Sequence, residues 1–300
     1  FDISAWPIEL VATGDCIRLG RRTLRFIETP MVHWPESMFT YITEDKLLFS
    51  MDAFGQHYAS SQRFDDELPL EAILLEAKTY YANIIMPYGK AVAACIAKTA
   101  GLEIDVIAPS HGAIWRTGVA KILAAYHDWV AYRPKAKVLV LYDSMWESTA
   151  RMAQAIAEGV AQQPGVEMQQ LPLRGTSLTR IAAEVLDAAA VAFGSATLNR
   201  GMMPAAAAAL HYLQGLRPLG KAGLAFGSYG WGGGGVEAIE AGLKAMPWDV
   251  IGPPLKAQYR PTAEILRQCR AAGKQLAEKA SALAGVRSIN GIAGLVSPYG

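Results

Sequence analysis

The sequence predicts two consecutive α/β units: a mixed strand-and-helix unit over residues 1–133 and a doubly wound parallel sheet over 134–282, followed by a tail over 283–300. Three observations predict this. Short runs rich in β-branched and aromatic residues, broken by turn signals, open the chain. Five strand patterns alternate with five helix patterns after residue 136. Between the two rhythms stands Arg133-Pro134-Lys135, a charged, proline-broken joint.

In the first unit, residues 23–27, 38–42 and 46–50 read as strands separated by His33-Trp34-Pro35 and Thr43-Glu44-Asp45. Between 66 and 83, Leu70, Ile73, Leu74, Ala77 and Tyr81 recur at helical spacing, and 90–99 repeats that pattern. An apolar strand at 104–108 then ends in the loop Pro109-Ser110-His111-Gly112. In the second unit the predicted strands are 137–142, 166–171, 189–194, 222–228 and 250–259. The helices between and after them are 148–160, 177–186, 203–213, 236–245 and 263–280. Such strict alternation specifies parallel strands with helices on both faces. Residues 281–300 are apolar with Gly and Ser and show no clear period.

Composition excludes several classes. With 28 Lys+Arg against 27 Asp+Glu the net charge is +1, and no run of about five or six like charges occurs, so the footprint of a nucleic-acid binder or a membrane-surface protein is missing. Apolar stretches such as 205–210 fall far short of the roughly 20 residues of a membrane-spanning helix. Cys16, Cys95 and Cys269 form no C-x-x-C pair, which removes a disulfide framework and any zinc or rubredoxin-type iron knuckle. A reducing, cytoplasmic compartment is expected. The chain begins at Phe1 with neither a basic n-region nor an apolar h-region, and it reads as a fragment of a longer product.

A doubly wound sheet binds ligands beyond the carboxyl ends of its strands. After the first strand of the second unit comes Asp143-Ser144-Met145-Trp146-Glu147-Ser148-Thr149, a hydroxyl-rich loop opening into a helix. Ser144, Ser148 and Thr149 can donate to a phosphate, and the helix N-terminus adds backbone amides and a positive dipole end. The plain alternative is that Ser148 or Thr149 is only an N-cap. After the third strand stand Ala196, Thr197, Leu198 and Asn199, and after the fourth Ser228, Tyr229, Gly230, Trp231 and Gly232. Small residues let the backbone approach a flat ring, while Trp146, Tyr229 and Trp231 offer stacking faces, with Met145 beside them. A nicotinamide-type G-x-G-x-x-G is absent after the first strand, which favours a mononucleotide.

In the first unit His33, Asp52, His57 and His111 each fall at or near a strand end. Histidine and aspartate are ligands of iron and zinc, and a carboxylate such as Asp52 can bridge two metals. The long spacings leave open that these are hydrogen-bonded turn residues.

The loops of the second unit resemble the flavodoxin family, whose ligand is FMN, and Tyr142-Asp143-Ser144-Met145-Trp146 with Gly227-Ser228-Tyr229-Gly230-Trp231 are similar to the flavodoxin domain of the flavodiiron proteins. Three strings of the first unit resemble the metallo-β-lactamase-like αββα domain of the same family. They are His33-Trp34-Pro35-Glu36-Ser37-Met38-Phe39-Thr40-Tyr41, Met51-Asp52-Ala53-Phe54-Gly55-Gln56-His57, and Ala108-Pro109-Ser110-His111-Gly112-Ala113-Ile114-Trp115-Arg116, with Tyr80-Tyr81-Ala82-Asn83-Ile84 fitting as well. The first unit then corresponds to the C-terminal portion of that domain.

The resemblance implies an oxidoreductase that passes electrons from a rubredoxin or a rubredoxin-like reductase through FMN to a diiron site, reducing O2 to water or NO to N2O. It implies His33 as a terminal ligand of one iron, Asp52 as the bridging carboxylate, His111 as a ligand of the second iron, and His57 as a neighbour of the site. It implies a head-to-tail homodimer, or a tetramer built from it, and a separate donor protein. One departure stands out: the family's H-x-E-x-D-H cluster occurs nowhere in these 300 residues. Either the chain is a fragment or its diiron centre is degraded. A flavodoxin-like FMN carrier without a working diiron site is the competing expectation, and a remnant binding neither cofactor a third.

Overall fold

The computed structural model describes residues 2–289, in two compact units, one ending at Val130 and the other beginning at Ala131. The first unit is built on a five-stranded sheet. Its strands are β1 (Cys16–Leu19), β2 (Arg22–Glu28), β3 (Met38–Ile42), β4 (Leu47–Phe49) and β5 (Val106–Ala108), paired in that order. β1 to β4 form an antiparallel meander, and β5 joins β4 in parallel. Two successive reversals make β2 parallel to β4 and so to β5, which brings the carboxyl ends of these three strands to one edge of the sheet.

α1 (Leu70–Tyr80) and α2 (Gly89–Thr99) connect β4 to β5, and α3 (Val119–Val130) closes the unit. The helical period expected through residue 83 does not continue as α-helix: Tyr81–Ile85 widens into one π turn and Met86–Tyr88 tightens into a 3-10 turn before α2. Pro87 lacks the amide an α-helix needs there. β1 and α3 have no counterpart among the elements read from the sequence. α3 carries Val119, Ile122 and Tyr126 on its buried face, a helical spacing that identifies it once the core is known. The core gathers Phe39, Leu48, Ile73, Tyr81, Ile107, Trp115 and Tyr126, all within 1% of full burial.

The second unit alternates β6 (Lys135–Asp143), α4 (Ser148–Val160), β7 (Glu167–Pro172), α5 (Leu178–Asp187), β8 (Ala188–Leu198), β9 (Gly201–Met202) and α6 (Pro204–Leu216). It continues with β10 (Ala222–Tyr229), α7 (Gly235–Lys244), β11 (Asp249–Val250), β12 (Leu255–Gln258) and α8 (Ala263–Ile289). The strand order is β11-β10-β8-β6-β7, with β12 also parallel to β10 and β9 antiparallel to β8. The first strand thus lies inside the sheet, the doubly wound order whose switch point falls between β6 and β8.

β6, β8 and β10 read as continuous apolar runs because both faces are covered, one by α4 and α8, the other by α5, α6 and α7. Two differences from the sequence pattern stand out. The single strand expected at 250–259 is divided by Gly252-Pro253-Pro254, where two prolines cannot donate to a ladder. The last helix runs nine residues past its expected end, through 289; the remainder of the expected tail, 290–300, lies outside the described residues.

α4 and α8 approach at backbone distance. A Cβ built on Gly159 would stand 2.0 Å from the Arg270 carbonyl oxygen, and one on Gly273 2.1 Å from that of Ile156. Two glycines in helix interiors, ordinarily unfavourable, thus let the helix that opens at the ligand edge lie flush against its neighbour.

Candidate functional site

At the shared edge of the first sheet three loops follow β2, β4 and β5, and they carry His33, Asp52 and His111. The His33 loop is closed by Val32 N–H to Thr29 O, Met31 N–H to Trp34 O and Trp34 N–H to the Ser37 hydroxyl. The Asp52 loop is held by the buried Ser50, whose hydroxyl donates to Ala53 O, and by Tyr126, whose hydroxyl accepts from Phe54 N–H at 2.7 Å. This loop is laced to the third: Ser110 N–H donates to Met51 O, Gln56 N–H to His111 O, and the buried Gln56 side chain bonds both the amide and the carbonyl of Ala113.

The result centres on Asp52, 14% exposed at its side chain. His33 Nε2 stands 3.1 Å from Oδ2 and His111 Nε2 3.2 Å from Oδ1. His57 lies beside His111, ring centroids 5.5 Å apart, and edge-on to Tyr80 at 4.8 Å. Burial, and then the negative charge of Asp52, push the Tyr80 phenol up from its ordinary value.

Two donors each roughly 2.1 Å from one ion and about at right angles stand about 3.0 Å apart. Each His–Asp oxygen pair matches such an edge, and the two pairs fall on different oxygens, as with a carboxylate shared by two ions. The donor chemistry therefore fits iron, two donors at each of two positions. It does not complete either position, which takes at least about four. Among the described residues no group of three or more His, Cys, Asp or Glu converges on one ion.

In the second unit a cavity of about 850 Å³ opens beyond the carboxyl ends of β6, β8 and β10. Met145, Trp146 and Ser148 line it from the first loop, Ala196, Thr197, Leu198 and Asn199 from the second, and Ser228, Tyr229, Gly230, Trp231 and Gly232 from the third. Ser144 and Thr149 do not line it. The Ser144 hydroxyl accepts from Ala150 N–H, capping α4, and Thr149 is fully buried with its hydroxyl 2.8 Å from that of Ser228. The Ser144 hydroxyl is thus engaged in a capping bond and that of Thr149 in a buried pair tying α4 to the end of β10, while Ser148, the third hydroxyl residue expected at a phosphate, lines the cavity.

The anion-binding chemistry lies in the backbone. Glu147 adopts φ +61° ahead of α4, and the amides of Glu147, Ser148 and Thr149 make no hydrogen bond among the described residues. Open amides at the positive end of a 13-residue helix are the donor set a phosphate takes.

Between β8 and β9 the chain reverses through Asn199 and Arg200, both at positive φ, as a two-residue hairpin turn requires. The hairpin rests on the glycine run: Thr197 Oγ1 accepts from Gly235 N–H, and a Cβ on Gly234 would stand 2.1 Å from Arg200 O. Trp146 and Trp231 are 84% and 94% exposed at the cavity mouth, which leaves both ring faces free for a ligand. An enclosure of this size with open amides and bare aromatic faces fits FMN.

Sequence reasoning missed five lining residues: Glu147, Arg151, Arg200, Tyr259 and Arg260. The helical spacing of Arg151 from Ser148 could have placed it on the first turn. For Tyr259 and Arg260 the only signal is their position after a strand.

The flavodoxin family profile matches residues 140–273, and that of the ODP family beta lactamase matches 4–112. The nitric oxide reductase of Moorella thermoacetica is 43% identical over 273 residues, which cover 90% of this chain and 68% of that protein. Two solved structures superpose closely. The flavodiiron protein of Giardia intestinalis gives a TM-score of 0.89 at 37% identity, covering 93% of this chain and 69% of that one. Rubredoxin oxygen:oxidoreductase of Desulfovibrio gigas gives 0.88 at 35%, covering 93% and 70%. A β-lactamase-like unit followed by a flavodoxin unit, with a shared carboxylate in one and a mononucleotide cavity in the other, defines a class of two-domain flavoprotein. The chain belongs to the flavodiiron proteins.

Proposed function

We propose that this chain acts as a flavodiiron oxidoreductase, taking electrons from a rubredoxin-like donor through FMN to a diiron site that reduces O2 to water or NO to N2O. The observation that carries this reading is Asp52 with one imidazole on each oxygen. The names of the relatives, a nitric oxide reductase and a rubredoxin oxygen:oxidoreductase, support both gases as substrates and a rubredoxin as donor.

FMN supplies a carrier that accepts and releases electrons singly, and iron supplies the reducible centre for the gas. The rest falls to this chain's side chains and backbone. Asp52 would share its charge between two cations, with His33 and His111 each supplying an imidazole donor beside one of its oxygens. The amides of Glu147, Ser148 and Thr149 would hold a phosphate, Trp146 and Trp231 would pack against a flat ring, and Tyr229 to Gly232, which line the same cavity, would present backbone groups to its polar edge. No described helix is long and apolar enough to cross a membrane, and the proposed setting is the cytoplasm. The proposed assembly is a head-to-tail homodimer, alone or paired as a tetramer.

The test is iron and FMN per chain, followed by O2 and NO consumption with reduced rubredoxin. About two irons, about one FMN and rubredoxin-dependent gas consumption support the reading. A second reading, a flavodoxin-like electron carrier, is favoured by the three-donor set at Asp52; FMN without iron, reduced by the donor with no gas consumed, establishes it instead.

A further inference from the structure

Tyr259 follows β12 and adopts φ +56°, left-handed backbone that a bulky side chain rarely takes. Such a conformation persists only where its surroundings impose it. The imposition is visible: β12 runs parallel to β10 with Gln258 opposite Tyr229, and Tyr259 N–H donates to Tyr229 O at 2.6 Å. The Gln258 side chain adds a bond to Gly230 O at 3.2 Å. Yet the ring gains little burial in return, since Tyr259 is 60% exposed. It lies over Gly230, where a built Cβ would be 3.5 Å from Tyr259 Cε1, and it lines the cavity together with Arg260. Arg260, the next residue, is exposed and lines the same cavity together with Arg151 and Arg200, three cations against a single lining carboxylate, Glu147. A strained aromatic held out of the core, on a cavity wall where three arginines face one carboxylate, points to an anionic ligand with a flat ring.

We propose that Tyr259 and Arg260 form a fourth wall of the flavin cavity, Tyr259 packing on the isoalloxazine and Arg260 placing a positive charge beside it that favours the reduced, more negative ring. This rests on the FMN reading of the cavity. The assignment to ring rather than phosphate follows from register: residues 259–260 adjoin Tyr229 and Gly230 across the sheet edge, whereas the open amides lie at the start of α4.

The full chain and its Tyr259→Gly, Tyr259→Phe and Arg260→Gln variants are stripped of flavin and titrated with FMN and riboflavin by fluorescence quenching. Oxidised and reduced FMN are compared, and thermal midpoints are recorded without flavin. Tyr259→Gly is expected to keep or raise the midpoint, because glycine accepts positive φ, while weakening FMN about tenfold. Tyr259→Phe should bind as wild type does. Arg260→Gln should weaken reduced FMN about tenfold relative to oxidised FMN.

Tight FMN binding by Tyr259→Gly, or a lowered midpoint, overturns the role of Tyr259. An Arg260→Gln variant that loses FMN affinity and spares riboflavin shows a phosphate ligand and overturns the ring assignment. A wild-type chain that binds neither flavin overturns the FMN reading itself, and the proposal with it.

Discussion

Asp65 is 1% exposed and accepts from the amides of Arg116, Thr117 and Gly118 and from the Thr117 hydroxyl. Burial works to raise its pKa, and these hydrogen bonds outweigh it, holding the carboxyl below its ordinary range. A carboxylate lowered in the folded state contributes stability that is complete above its unfolded value, near 4, and is lost as the pH falls through the folded value. Asp65→Asn is therefore expected to destabilise the first unit by about 1–3 kcal/mol at pH 7. The gap from wild type should narrow below about pH 4. Urea midpoints at several pH values check this, and a gap independent of pH would sink it. The buried hydroxyl pair is a second case: Thr149→Val strands the Ser228 hydroxyl and should cost about 1 kcal/mol, with Thr149→Ser costing less. At this scale strand-end position offered His33, Asp52, His57 and His111 alike, and only the family resemblance of the strings around them set His57 apart from the other three. The sequence could not reveal which way the Thr149 hydroxyl turns, because its partner lies 79 residues away.

Helices α4 and α8 make the sign of a familiar substitution reverse. Glycine to alanine in a helix interior usually stabilises by up to about 1 kcal/mol. At Gly159 the added methyl would meet the Arg270 carbonyl oxygen, backbone that can move only if α8 moves. Gly159→Ala is expected to destabilise the second unit by about 1–3 kcal/mol. Because α4 opens at the ligand edge, FMN affinity should fall as well. Unfolding midpoints and flavin titration check both, and an alanine variant as stable as wild type would mean that the helices separate freely. Element positions in this unit were legible because buried parallel strands and amphipathic helices alternate through most of it, the short antiparallel β9 and the β11–β12 pair excepted. What was not legible has local causes. Two prolines divide the strand expected at 250–259, a π turn replaces the end of α1, and β1 hides because all four of its residues are exposed and lack a buried face.

Among the described residues the candidate site residues fall in separate units: His33, Asp52 and His111 before Val130, and every residue lining the flavin cavity after Ala131. The change of rhythm and Arg133-Pro134-Lys135 pointed to a joint after residue 133, and the contact boundary falls at Val130 and Ala131. The cavity walls contributed by Tyr259 and Arg260 were not legible in the sequence, since only the β10–β12 register brings them there. Separate housing predicts separable chemistry. Asp52→Asn keeps the shape and hydrogen-bonding reach of the side chain but removes the negative charge that two cations would share, leaving His33 and His111 facing a neutral amide. Metal per chain is expected to fall at least about tenfold, while FMN stays near one per chain, because no group lining the flavin cavity has changed. The measurement is elemental analysis beside released flavin absorbance on the same sample, with the unfolding midpoint showing that the first unit is still folded. Iron retained at the wild-type level would remove Asp52 from the metal site. Flavin lost in step with iron would mean that the two cofactors are bound cooperatively, against the independence expected of residue sets that lie in different units.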